Sequence, residues 1–223
     1  MEVRFEIVFE DEYLIVLNKK AKLLVQPTKK EKLTLTSLLC DKLREKGEVA
    51  YPCHRLDRET TGLIIYAKSK NVQRQIMDQF KRREVKKGYI ALVKGKIKNK
   101  RGIIKGYIWD REASIFGESP KWAITKYKVV REFSDFSIVE LNPLTGRTNQ
   151  LRIQLARQGN PILGERKYAL RREFRVNFKQ LALHAWFLSF LHPVSRERID
   201  LKIKLPSSME KFIEQMERKQ ELR

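Results

Sequence analysis

His54-Arg55-Leu56-Asp57-Arg58-Glu59-Thr60-Thr61-Gly62-Leu63-Ile64-Ile65-Tyr66-Ala67-Lys68 sets an aspartate between arginines, in a polar loop that runs directly into an apolar segment. Gly62 to Ala67 reads as a buried strand, because a short apolar run follows a Thr-Thr-Gly turn signal. The loop therefore offers Asp57 from a rigid element, the usual place for a reacting side chain. Its arginine neighbours favour the charged carboxylate. An aspartate closing a turn through local backbone bonds fits the same pattern, and spacing by itself favours that plainer reading.

Outward from this stretch the chain is rich in strands. Val3, Phe5, Ile7 and Phe9 alternate on one face of a first strand, and Tyr13 to Leu17 forms a second. Leu35, Leu38, Leu39 and Leu43 fall at helical spacing, with Gly47 as the stop. A helix over 71–83 carries Val72, Ile76 and Phe80 on one stripe and Arg74, Lys81 and Arg82 on the other. Residues 86–94 read as a strand around Tyr89, and 98–121 as hairpins with an exposed loop. Strands follow at about 122–131 and 136–142, then a short helix after Thr145-Gly146 with Leu151 and Leu155 inward and Gly159 closing it. Further strands are expected at 181–191 and 199–205. Ser207 and Glu210 stand at capping-box spacing before a stripe of Met209, Phe212, Ile213 and Met216. Strands outnumber helices without regular β-α alternation, so the class is α+β with a mostly antiparallel sheet.

The 223 residues are enough to bury a sizeable core. With 48 Lys plus Arg against 27 Asp plus Glu, the formal charge is +21, which points to a polyanionic partner, nucleic acid before an acidic membrane. A thermophile-type surface explains abundant charge but not so lopsided a sign. Cys40 and Cys53 lack metal-type spacing and read as reduced core thiols. No metal site is expected around His54, His184 or His192, which have no carboxylate-rich or cysteine-rich company at metal spacing. The start lacks a signal-peptide pattern, and no apolar run approaches the ~20 residues that span a bilayer. A cytoplasmic protein without membrane contact is the expectation.

The run H-R-L-D-R-E-T-T-G-L resembles the signature of the RluA-type family of RNA pseudouridine synthases, usually H-R-L-D-x-x-T-S-G-L, with Thr61 in place of serine. E-D-E-Y-L-I-V-L-N-K followed by L-L-V-Q-P-T resembles the family's opening, with Lys20 and Gln26 where many members carry proline and histidine. Lys87-Gly88-Tyr89-Ile90-Ala91-Leu92-Val93 and Thr145-Gly146-Arg147-Thr148-Asn149-Gln150-Leu151-Arg152 resemble the second and third motifs, Asn149 and Gln154 replacing usual histidines. Gly159 to Glu165 and Leu183-His184-Ala185 match the segments that follow, so the likeness runs from about residue 5 to 206.

The resemblance implies the pseudouridine synthase fold: α+β, a mixed and mostly antiparallel sheet, flanking helices and a central active-site cleft. It implies one catalytic domain over 1–223, beginning directly with the catalytic region and without an additional RNA-binding module. The expected reaction isomerises uridine to pseudouridine in tRNA or ribosomal RNA. It breaks a ribose–uracil nitrogen bond, turns the base and rejoins it through carbon 5, with no redox change and so no cofactor. Asp57 is the implied catalytic carboxylate, Arg152 its partner, and Tyr89 the ring that stacks on the uracil and helps remove the carbon 5 proton. An Asp beside an Arg loses roughly 1–3 pKa units, which keeps it ionised. Without the motif, Arg152 reads as a solvated helix arginine and Tyr89 as a strand residue closing the core.

A uracil within folded RNA must be extruded before it can react. Arg55 is placed to fill the vacated stack with a planar cation, and Arg58 and Arg147 belong to the same set of RNA contacts. His54 either orients the loop or touches RNA. In 166–179 the cations Arg166, Lys167, Arg171, Arg172, Arg175 and Lys179 interleave with Tyr168, Phe174 and Phe178, a pattern suited to phosphates and splayed bases. A basic, partly buried hairpin is the competing account. The partner expected is structured RNA, bound by a monomer. The rival function is a catalytically silent RNA-binding or remodelling protein of the same fold.

Overall fold

The computed structural model describes residues 4–109, 119–170 and 174–221. In chain order the elements are β1 (Phe5–Glu10), β2 (Leu14–Lys19), α1 (Leu35–Leu43), β3 (Tyr51–Pro52), β4 (Thr61–Ala67), α2 (Lys70–Lys81), β5 (Lys86–Lys94) and β6 (Arg101–Ile108). They continue with β7 (Lys121–Glu132), β8 (Phe136–Pro143), α3 (Gln150–Arg157), β9 (Leu183–Leu191), β10 (Arg198–Lys202) and α4 (Ser207–Glu221). The α+β class with a mostly antiparallel sheet is what the structure has. No helix among the described residues is long and apolar enough to cross a membrane.

The chain forms two compact units, Met1–Lys87 with Ala185–Ile203, and Gly88–His184 with Lys204–Arg223. In the first, the strands run in the order β1-β2-β4-β9-β10, with β3 on β4. Leu14 to Leu17 of β2 and Leu63 to Ala67 of β4 are buried without a break, as expected of strands covered on both faces. Leu14, Val16, Leu63 and Ile65 pack with Val72 and Ile76 of α2 and with Leu188 and Phe190 of β9. The alternation read across 3–9 is interrupted, because β1 shifts register between Ile7 and Phe9. α1 begins at Thr34, whose hydroxyl accepts from the Ser37 amide in a capping box, and Gly47 in the left-handed region ends the turn that follows it. α2 is capped by Ser69.

In the second unit the antiparallel order is β5-β8-β7-β6. β6 is a full strand within the segment read as hairpins and loop, and it pairs with β7 along its whole length. The core gathers Leu92, Val139 and Leu141 from the sheet, Leu151 and Leu155 from α3, and Met209 from α4. Phe212, Ile213 and Met216 of α4 lie against it, as their spacing required. The capping box at Ser207 is off by one residue: the Pro206 carbonyl accepts from the Met209 and Glu210 amides, so Ser207 is already inside the helix.

Candidate active site

β2 does not stop at the polar pair after Leu17 but continues to Lys19, and this extension builds the floor of the Asp57 loop. Lys19 is completely buried. Its Nζ donates to the carbonyls of Lys20 at 2.9 Å, Leu23 at 2.9 Å and Arg58 at 3.0 Å. Burial pushes its pKa down to about 7, against the pull of the Glu59 and Asp57 carboxylates. The Leu23 amide also donates to the Arg58 carbonyl, at 3.3 Å, and the Thr60 amide closes a turn onto the Asp57 carbonyl at 3.1 Å. Leu56 and Thr60 face inward, Asp57 is half-buried, and Arg55 and Arg58 are exposed. Arg58 pairs with Glu31.

Gly62 leads out of this turn with φ +113°, and a Cβ there would meet the Ala185 carbonyl oxygen at 2.2 Å, so only glycine fits. His54 is turned into the unit. Its Nε2 accepts from the Ile65 amide at 3.0 Å, its ring lies 4.7 Å from that of Phe80, and the Arg55 backbone engages the ring as well. Burial first, and then the neighbouring Lys87 charge, push its pKa down to about 3. Of the two roles open to His54, the geometry supports loop orientation, its ring being engaged by the Ile65 amide and the Arg55 backbone.

In the second unit Arg152 projects from α3 into a cluster of its own. Its Nε donates to Glu165 Oε2 at 2.7 Å, its Nη2 to Glu165 Oε1 at 2.8 Å, and its Nη1 to Asn149 Oδ1 at 3.0 Å. The guanidinium also lies 5.3 Å from the Tyr168 ring centre. Glu165 is buried, and its Oε1 accepts from the amides of Arg166, Lys167 and Tyr168 at 2.9, 2.7 and 3.3 Å. Burial alone would raise its pKa; the Arg152 guanidinium and the backbone amides outweigh that and hold it below the usual carboxylate range. Asn149 takes the left-handed conformation at the start of α3, φ 52°, which asparagine tolerates well.

Gln154 is buried and ties α3 to the sheet. It accepts from Thr125 Oγ1 at 2.6 Å and donates to the carbonyls of Ile104 and Ala123, both at 3.3 Å. Asn149 and Gln154 thus have defined structural duties in place of the usual histidines. Tyr89, half-buried on β5, packs against the core of the second unit.

The sequence-derived residues therefore fall into two groups. Asp57 shares its loop with His54, Arg55 and Arg58 in the first unit, and Arg152 shares its cluster with Lys167 in the second. Arg147 is exposed, its Nε donating to the Trp122 carbonyl at 3.2 Å. Arg166 is exposed with its Nη2 on the Lys179 carbonyl at 3.1 Å. Arg171 and Arg172 lie outside the described residues. The rings of Phe174 and Phe178 are corrected as base contacts: they pack on the core, Phe178 edge-on to Phe212 at 5.2 Å, leaving Arg175 and Lys179 outside. Two residues escaped sequence reasoning. Lys19 was signalled only by a lysine ending an apolar strand, and Glu165 only by an acid beside Gly164, which has φ +78°.

Residues 13–157 match the family described as RNA pseudouridylate synthase. The dual-specificity RNA pseudouridine synthase RluA of Pasteurella multocida is 35% identical over 198 residues, covering 86% of this chain and 89% of the relative. The ribosomal large subunit pseudouridine synthase C of Vibrio vulnificus is 30% identical over 222 residues, 96% of this chain and 70% of the relative. Among solved structures, human RNA pseudouridylate synthase domain containing 4 superposes with a TM-score of 0.73 at 28% identity, over 90% of this chain and 88% of that one. Fold and motifs together define an RNA-modifying isomerase. The chain belongs to the RNA pseudouridylate synthase family, whose members convert uridine in RNA to pseudouridine.

Proposed function

We propose that this protein isomerises particular uridines of tRNA or ribosomal RNA, with Asp57 as the catalytic carboxylate, Arg152 as the cation that keeps it ionised, and Tyr89 as the ring against the extruded uracil. The observation that carries the reading is the construction of the Asp57 turn: a buried ammonium and the Leu23 amide hold the Arg58 carbonyl, and the Thr60 amide holds that of Asp57, beneath one half-buried carboxylate. Such fixing is what a reacting group requires and what an ordinary surface turn does not. Glu165 supports the same reading from the other side. By engaging Nε and Nη2 of Arg152 with a bidentate carboxylate, it fixes the orientation of the guanidinium plane.

In the proposed reaction the bond between ribose C1′ and uracil N1 breaks, the base turns, and C5 bonds to C1′. The C5 proton is then lost and N1, no longer bonded to ribose, gains one, so atoms balance without an outside reactant. An ionised Asp57 starts the sequence as nucleophile or base. Arg55, exposed two residues away, fills the stack that the base vacates. Arg58, Arg147, Arg166, Lys167 and the pair Arg171 and Arg172 contribute phosphate contacts. The names of the two relatives, one dual-specificity and one ribosomal, support a structured RNA substrate. A monomer in the cytoplasm completes the proposal.

Asp57→Asn tests it. Chemical tagging of pseudouridine after incubation with RNA is expected to show no product with the variant, while its RNA affinity stays within about twofold of native, since one carboxylate adds no phosphate contact. Full activity of Asp57→Asn on an RNA that the native protein modifies rejects the assignment.

A further inference from the structure

β6 is an edge strand of the second unit, and its outer face is unusual. Tyr107 is 64% exposed and Trp122, directly opposite on β7, is 42% exposed. Their ring centres lie 4.9 Å apart, edge to face. Trp109, one residue beyond β6, is 50% exposed. Large aromatic rings left in water on neighbouring strands mark a contact surface more often than chance. Residues facing one another across an antiparallel pair share a face. The register therefore places Lys105, Lys126 and Lys128 along the same surface as the two rings. No acidic residue occurs in 101–108 or 121–131.

The backbone beneath the rings is held firmly. Arg157 Nη1 donates to the Tyr107 carbonyl at 2.6 Å and Arg147 Nε to the Trp122 carbonyl at 3.2 Å, while Gln154 holds the Ile104 carbonyl. A cleft of about 280 Å³ opens between β6 and the end of α3, beside Tyr107. Fixed rings beside the lysines of β6 and β7 complement one class of partner, a strand with splayed bases and a phosphate backbone.

We propose that the Tyr107–Trp122 pair is a stacking platform for unpaired nucleotides of the RNA substrate, with Lys105 and Lys126 taking the flanking phosphates. This rests on the RNA isomerase reading above and adds to it a specific element: the bound RNA presents a single-stranded segment to β6 and β7. Each ring takes one base, and the platform tolerates any sequence because every base has a flat face.

The test compares a short oligouridylate, the same strand with abasic positions, and a duplex of equal length. The double variant Tyr107→Ala with Trp122→Ala is expected to bind the oligouridylate roughly tenfold more weakly, the scale of one or two stacked bases. Its affinity for the abasic strand is expected to change less than about twofold, because phosphate contacts remain. Tyr107→Phe with Trp122→Phe keeps both ring faces and is expected to bind the oligouridylate as the native protein does. Equal losses on the intact and abasic strands, native affinity in the alanine variant, or stronger native binding to the duplex would each overturn the platform. A native dimer that the alanine variant abolishes would assign the face to a second copy instead. Pseudouridine formation by the native protein is scored separately: an active native enzyme with an unaffected alanine variant sinks the platform alone. A native protein that makes no pseudouridine yet shows the base-dependent loss sinks the isomerase reading alone.

Discussion

Nζ of Lys19 and the carbonyl of Arg58 meet at 3.0 Å across 39 positions of sequence. The contact fastens the end of a central strand to the residue after the proposed catalytic aspartate, and it makes a buried ammonium part of the loop. Lys19→Met keeps the length of the side chain and removes the donor, leaving three carbonyls without it. We expect the turnover rate for pseudouridine formation to fall about tenfold or more, with smaller change in RNA affinity, because misplacement of a reacting group by about 1 Å is costly. Native turnover in Lys19→Met would show that the loop holds itself.

The same lysine gives a pH signature. Its folded pKa of about 7 lies below the ordinary 10.5, so between those values the unfolded chain binds a proton that the folded chain does not. Stability attributable to Lys19 therefore rises with pH across that window, by at most about 1.4 kcal/mol per pH unit, and is flat below it. Urea unfolding of native protein and Lys19→Met at about pH 7.5 and about pH 9.5 measures the difference in slope. Parallel slopes would contradict a depressed pKa.

Glu165 acts on the reaction through Arg152 and is a positioning residue. Glu165→Gln retains acceptor capacity but loses the charge that fixes the guanidinium. The expected result is a kcat lower by about 10- to 100-fold with KM nearly unchanged, since an interaction made in the transition state is weakened. Glu165→Ala, which removes the bidentate partner of a largely buried cation, is expected to cost roughly 3 kcal/mol of stability by urea unfolding. Unchanged kcat in a folded Glu165→Gln protein would limit Glu165 to holding the 165–168 turn.

His54→Ala removes the acceptor of the Ile65 amide. A loss of roughly 1–3 kcal/mol in unfolding free energy is expected, with RNA affinity within about twofold of native. A stable variant with much weaker RNA binding would return His54 to the RNA surface.

Gly62→Ala meets two obstacles at once: a backbone conformation closed to side chains, and the Ala185 carbonyl 2.2 Å from the new carbon. A cost of about 3 kcal/mol or more is expected, read as a drop in Tm. A Tm near the native value would mean that β4 and β9 separate easily.

What the sequence disclosed and what it withheld divide along physical lines. Apolar periodicity and glycine positions depend on local chemistry, so β5 over 86–94 and the α4 stripe were legible residue by residue. Likewise Gly47 and Gly159 announced helix ends through their freedom at positive φ. Lys19 and Glu165 were not legible, because a buried charge is tolerable only with partners that arrive from remote segments. Lys19 takes one carbonyl from a loop 39 positions away, and Glu165 takes its guanidinium from α3, 13 positions earlier. The rings of Phe174 and Phe178 misled for a related reason: alternation with cations looks alike whether the rings face a base or a core. Asn149 and Gln154 stood out as departures from a motif, and only their hydrogen bonds explain them.

The first unit is completed by a late return of the chain, since β9 and β10 follow almost a hundred residues that belong to the second. During synthesis the segment up to Lys87 leaves the ribosome with one side of β4 paired only at its end, by the short β3, and otherwise an open edge prone to wrong partners. Folding of that nascent segment must wait for residues 185–203 to emerge. A transcript cut short before them would yield a polypeptide that holds the Asp57 loop but not the strand that closes Gly62 into place.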